Sequence, residues 1–176
     1  MSTTYKIDPQ HSTAQFVVRH MMITNVRGGF SGVQGSVTWD PANPGASSAE
    51  ATITVANINT NEPDRDKHLQ SADFLDVEKY PTITFKSTKV EPAGDGEVKL
   101  TGDLTIHGVT KPVVLKVEGP TPAGKDPWGN TRIGASATTK IKRSDFGLNF
   151  NAVLETGGVL VGDELKLELE VSLIQA

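Results

Sequence analysis

Apolar and polar residues alternate with a period of two through most of the 176-residue chain, and the pattern recurs eight times. Near the C-terminus Leu165, Leu167, Leu169, Val171 and Leu173 share one face, while Lys166, Glu168, Glu170 and Ser172 share the other. Earlier faces are Phe16, Val18 and His20; Val33, Gly35, Val37 and Trp39; Ala51, Ile53 and Val55; and Ile83, Phe85 and Ser87. Three more are Val98, Leu100, Gly102, Leu104 and Ile106; Val113, Leu115 and Val117; and Ile133, Ala135, Ala137, Thr139 and Ile141. Turn-forming pairs and clusters separate many of them, among them Pro44-Gly45, Asp95-Gly96, Trp128-Gly129-Asn130 and Gly162-Asp163.

Eight half-buried strands need their apolar faces covered, and an open sheet of that width leaves two exposed edges. Closure removes both. The pattern therefore predicts an all-β fold, an eight-stranded antiparallel up-and-down barrel, in preference to a sandwich. One stretch breaks the alternation: Glu62 to Phe74 predicts a short helix near residues 62–71, with Asn61 or Asn59 as cap and Pro63 in the first turn. Its Leu69 and Phe74 are expected to face the sheet. A second irregular segment, His20 to Gly29, contains Met21, Met22 and Ile23 and reads as a helical turn.

Composition agrees with strands. Val, Ile and Thr number 17, 9 and 19, side chains that suit a pleated surface and lose freedom in a helix. The length is that of one domain, residues 1–176, large enough to fold without a staple. Cysteine is absent, which removes disulfides, thiolate metal sites and cysteine nucleophiles. With 17 Lys and Arg against 21 Asp and Glu, the net charge is -4, which argues against nucleic acid as a partner. No apolar run is long enough for a transmembrane helix. Met1 to Asp8 lacks the basic and apolar regions of a signal peptide, which places the chain as written in the cytoplasm. A leader removed from a longer precursor would place it in the periplasm or outside the cell.

Catalytic constellations do not emerge from the spacing. Gly29-Phe30-Ser31-Gly32 is not a nucleophile elbow, and Gly29, Gly32 and Gly35 fit neither a dinucleotide fingerprint nor a phosphate loop. His11, His20, His68 and His107 are dispersed without metal-ligand spacing, so no metal is expected. Small residues on the inner faces (Ala14, Gly35, Ala51, Ser87, Gly102, Ala135 and Ala137) leave two readings open: a cavity for one small ligand, or the taper of a packed barrel.

Four stretches narrow this choice: HSTAQFVVRH at 11–20, RDKHLQSADFLDVEKYPTITFKS at 65–87, GDLTIHGVTKPVVL at 102–115 and IKRSDFGLNF at 141–150. Together, and in this order, they closely resemble the YceI-like family of bacterial polyisoprenoid-binding, lipocalin-like proteins. The resemblance implies a lipocalin-like barrel whose interior holds a polyisoprenoid or similar long-chain amphiphile, such as an isoprenoid quinone or prenyl phosphate. It implies a binding, storage or transport protein rather than an enzyme, with no cofactor beyond the bound lipid and with homodimers in some members. The tail is then expected against Phe16, Val18, Val37, Trp39, Ile53, Phe74, Phe85, Gly102, Leu104, Ala135 and Phe146. An anionic head would call for cations at the mouth, and Arg19, His20, Arg65 and His68 are the candidates, with Lys142 and Arg143 beside them. Arg65 with Asp66, and Arg143 with Asp145, could instead be local ion pairs or turn anchors holding the helix and loop to the barrel. The competing classes are an enzyme using His20 or His68 as base on a lipid-like substrate, and a packed structural barrel.

Overall fold

The fold rests on a computed structural model that describes residues 2–21, 23–151 and 161–176. In chain order the strands are β1 (Thr3–Ile7), β2 (Thr13–His20), β3 (Thr24–Ser31), β4 (Gln34–Trp39), β5 (Ser48–Thr54) and β6 (Ile58–Asn59). A helix, α1 (Pro63–Gln70), follows. Then come β7 (Thr82–Pro92), β8 (Glu97–Ile106), β9 (Val109–Glu118), β10 (Gly124–Lys125), β11 (Thr131–Lys142) and β12 (Val161–Gln175).

These segments build a closed antiparallel barrel of eight long strands, because several are pieces of one bent strand. β1 pairs with β4 and β2 with β3, in nearly continuous register from Thr3↔Trp39 to His20↔Thr24. β5 pairs with β4 and β6 with β3, so the run from Ser48 to Asn59 borders both. The order then runs sequentially through β7, β8, β9 and β11 to β12, which pairs back onto both β1 and β2. The meander predicted from the alternation is thus the observed architecture.

Each bend has a local cause. Between β3 and β4, Gly32 takes a left-handed φ of 71°, a region open to glycine without steric cost. Between β1 and β2 the chain is pinned to β12: Asp8 N–H donates to Ser172 O at 2.8 Å, and Ser12 Oγ accepts from Ser172 N–H at 3.0 Å. In β7 a bulge between Ser87 and Lys89 moves the inward positions from Phe85 and Ser87 to the buried Val90.

The irregular segment expected at His20 to Gly29 is largely strand, since Thr24 to Gly29 belong to β3 and pair with β2. A hairpin turn joins the two strands, and in it Ile23 N–H donates to His20 O at 3.1 Å. Met22 lies outside the described residues. The helix lies where expected, but its cap is Glu62, whose Oε1 accepts from Asp64 N–H, whereas Asn59 Oδ1 accepts from Asn61 N–H before the helix begins. Asp64 and Asp66 in the first turn and Lys67 and His68 in the last complement the helix dipole.

One charged cluster ties the β1–β2 bend to the β10–β11 loop. Arg132 Nη1 donates to Asp8 Oδ2 at 2.8 Å and its Nε to Asp126 Oδ2 at 2.6 Å, while His11 Nδ1 lies 2.7 Å from Asp8 Oδ2. The hydrogen bond from Arg132 chiefly lowers both carboxyl pKa values from 3.8 to about 2. A carboxyl held below its unfolded value supplies stability that is complete above about pH 4 and lost as the pH falls through about 2. Arg132→Ala is expected to shrink that acid-sensitive component and to lower stability at neutral pH, because Asp8 and Asp126 lose the donor that chiefly lowers their pKa values. Thermal melts of both proteins between pH 7 and pH 2 check this, and parallel curves at equal stability would contradict it.

Candidate functional site

The barrel is not filled by its own side chains. Its interior holds two buried clusters, one around Phe30, Val55, Ile83, Leu104 and Phe146, the other around Tyr5, Ile7, Val33, Ile133 and Leu173. Between and beside them, inward residues such as Phe16, Ile53, Phe85, Leu165 and Leu167 are only half-buried. Those five side chains line an internal cavity.

That cavity, about 170 Å³, is capped by Leu69 at the end of α1 and by Phe74 and Leu75 in the turns that follow. A second, of about 120 Å³, lies toward the opposite end among Val37, Trp39, Val98, Val117 and Val171. Ala51, Phe85, Leu115 and Leu169 line both. Water needs two to four polar partners to be held inside a protein, and walls this apolar supply few. Hydrocarbon suits them better.

Most of the expected tail residues are on these walls. Phe16, Val18, Ile53, Phe74, Phe85 and Leu104 line the α1-side chamber, and Val37, Trp39, Phe85 and Ala135 the other. Gly102 and Phe146 line neither. Phe146 is 1% exposed and belongs to the packed core at the α1 end. At Gly102 a Cβ would fall 2.5 Å from Phe85 Cζ and 2.6 Å from the Lys86 carbonyl oxygen, so the glycine makes room for a ring, not for a ligand. Two other small inner residues also have local reasons. A Cβ at Gly35 would collide with the Glu50 carbonyl, and Ser87 Oγ accepts from Ala49 N–H at 2.9 Å beside the bulge. Ala14, Ala51, Ala135 and Ala137 do face open space.

The four head-group candidates fall into two pairs, neither of them on a cavity wall. Arg19 and His20 end β2, where Arg19 is exposed and its Nη1 donates to Asn25 Oδ1 at 3.3 Å. Arg65 is an anchor for α1: its Nε donates to Thr60 Oγ1 at 2.8 Å and its Nη2 to Thr60 O at 2.6 Å. Asp66 meets the same residue, accepting from Thr60 N–H and Oγ1–H, so Arg65 and Asp66 converge on buried Thr60. His68 packs edge-on against Phe74 and Phe150, with Nε2 2.9 Å from Asp73 Oδ2.

Arg143 is the cation that does border the α1-side chamber, and it is 5% exposed. Its guanidinium donates to the carbonyls of Leu148, Phe150, Val161 and Gly162 at 2.7–3.2 Å. Burial lowers its pKa, and the charge of Asp163 acts in the other direction. The pair expected between Arg143 and Asp145 is replaced by this carbonyl clamp, and Asp163 instead receives Ser144 N–H and Oγ–H. Sequence spacing does not register the clamp, because its acceptors are backbone atoms. Among the described residues no group of three His, Asp or Glu side chains is placed to hold a metal ion.

Comparisons with known proteins agree with this geometry. A family model described as the YceI-like domain matches residues 5–173. A UPF0312 protein of Vibrio cholerae is 42% identical over 146 residues, covering 82% of this chain and 77% of the relative. Among solved structures, Burkholderia cenocepacia BcnA superposes with a TM-score of 0.79 at 26% identity, over 94% of this chain and 98% of that one. A polyisoprenoid binding domain from Saccharophagus degradans superposes with a TM-score of 0.72 over 99% of both chains, and at 16% identity it shows likeness of fold.

Arg65 can be tested as an anchor. Arg65→Ala is expected to cost about 1–3 kcal/mol, because the Thr60 carbonyl and hydroxyl lose charged donors. It should weaken a prenyl pyrophosphate and the matching uncharged alcohol equally. Melting curves alongside titrations of both ligands check this, and selective loss of the pyrophosphate would put Arg65 at the head group.

Proposed function

The chain belongs to the YceI-like family, and from that premise we propose that it binds and carries a polyisoprenoid or similar long-chain amphiphile inside its barrel. The observation that carries this reading is the apolar bore, two chambers that share Ala51, Phe85, Leu115 and Leu169 and run along the barrel axis. Tail burial supplies the affinity, at about 0.8 kcal/mol of gross gain per CH₂-sized unit before the costs of association. Such a site selects first by the length and shape of the chain.

The head belongs at the α1 end. There Val18, Leu165 and Val161 bring the cavity wall up to the rim formed by Arg19 and His20, and Phe74 links the wall to His68. Arg65 and Arg143 hold the surrounding chain rather than the ligand. A quinone or a prenyl phosphate meets these requirements, and the lipid is the only cofactor-like group we propose. The similarity in fold to a domain named for polyisoprenoid binding supports the same class of ligand.

Binding, not catalysis, is the reading the wall supports. Its polar residues in the α1-side chamber are Gln15, Thr84, Thr139 and Arg143 among the described residues, and Thr139 Oγ1–H is already donated to Val114 O at 2.8 Å. His20 and His68, the candidate bases, line neither chamber.

Native mass spectrometry of gently purified protein is the direct test. The expected result is an adduct that organic extraction releases as an amphiphile, leaving a folded protein that reloads with an added prenol. Protein that carries no adduct and takes up no prenol would contradict the proposal. In parallel, Ala135→Phe should fill the chamber at the Trp39 end and displace ligand while stability changes by about 1 kcal/mol or less. A packed core would instead lose about 1–3 kcal/mol to overpacking.

A further inference from the structure

Four residues line both chambers: Ala51 on β5, Phe85 on β7, Leu115 on β9 and Leu169 on β12. Ala51 and Phe85 are direct cross-strand partners, and Leu169 stands opposite Ala14 on one neighbour and Ala137 on the other. Because both chambers share them, these three large side chains and one small mark the ring where the chambers adjoin. The largest, Phe85, does not point straight across. Its ring lies against β8 over Gly102, whose absent Cβ would fall 2.5 Å from Phe85 Cζ and 2.7 Å from Cε2.

Gly102 follows from this placement. A side chain there would displace the ring toward the axis and also press on the Lys86 carbonyl. Ala51 completes the opening: its small side chain faces the bore directly beside Phe85, where a larger residue would meet the ring.

We infer that this ring is a neck that gauges chain length, with Phe85 as its specificity-determining residue. The inference rests on the binding reading above, with the head at the α1 end. A short prenyl chain occupies the α1-side chamber and stops at the neck. A long chain threads between Phe85, Leu115 and Leu169 and gains the apolar walls of the second chamber, Val37, Trp39 and Val171 among them. The neck's width therefore acts on long chains alone.

The test uses the full chain and two probes, a fifteen-carbon and a forty-five-carbon prenol, with loading counted by native mass spectrometry. Leu169→Phe narrows the neck, and Ala51→Leu narrows it from another strand should the first variant fold poorly. Because Ala51 and Leu169 also border the α1-side chamber, the readout is the ratio of the two probes: either variant is expected to lower uptake of the long prenol relative to the short one about tenfold or more, a loss of the order that overpacking brings. Phe85→Ala combined with the narrowing substitution should restore the long prenol, a rescue that general damage to the barrel would not give. If wild-type protein takes up both prenols and the narrowed variants lose both equally, or neither, the neck is not a gauge although the binding reading stands. Wild-type protein that takes up neither prenol overturns both.

Discussion

Closure of eight strands through backbone hydrogen bonds fixes the width of this barrel before any side chain is chosen. β12 bears that constraint: along its 15 residues it pairs with β11 on one edge and with β2 and then β1 on the other. An eight-stranded barrel has an interior that side chains can just fill, or that can be left open for one small ligand. Here alanines at 14, 51, 135 and 137 face the bore, and they leave it open. The two buried clusters pack around the chambers, and members such as Phe30, Ile83 and Leu104 of one and Ile7 and Leu173 of the other also line them.

Most of the architecture was legible as alternation because every barrel strand has one face in and one face out. What escaped were the pieces whose pattern is interrupted. In β3, Gly28 and Gly29 sit between Val26 and Phe30, and Gly28 is there because the Phe16 ring and the Thr60 methyl occupy the place of its Cβ. β1 contributes two inward residues, Tyr5 and Ile7, too few to show a period. The bends joining β1 to β2 and β3 to β4 depend on contacts with β12 and on a left-handed glycine, which no local pattern reveals.

Legibility of the candidate site divides in the same way. Large inward residues such as Phe16, Ile53 and Leu104 could be placed on an inner face from their period, and the family resemblance made that face a cavity wall. Small residues could not be interpreted singly: Ala135 marks open space, Gly102 a neighbouring ring and Gly35 a close approach of two backbones. Cations were the least legible. In a sequence Arg65 and Arg143 suit either a head group or a local anchor; both donate to groups of the protein itself, and those acceptors become visible only in three dimensions. The same clamps explain how a barrel with an open centre keeps the α1 end in place. One holds the helix to Thr60, and the other holds the chain around residues 148–151 to the start of β12.

The central claim, that hydrocarbon enters the bore, is tested most directly by methyl-resolved NMR of the labelled protein titrated with a prenol. The account predicts large shifts for the inward methyl groups of Leu104, Leu165, Leu167 and Leu169, while exposed Val114 on the outer face stays unchanged. Shifts confined to Val114 and other surface methyls, with the inward leucines unmoved, would contradict it.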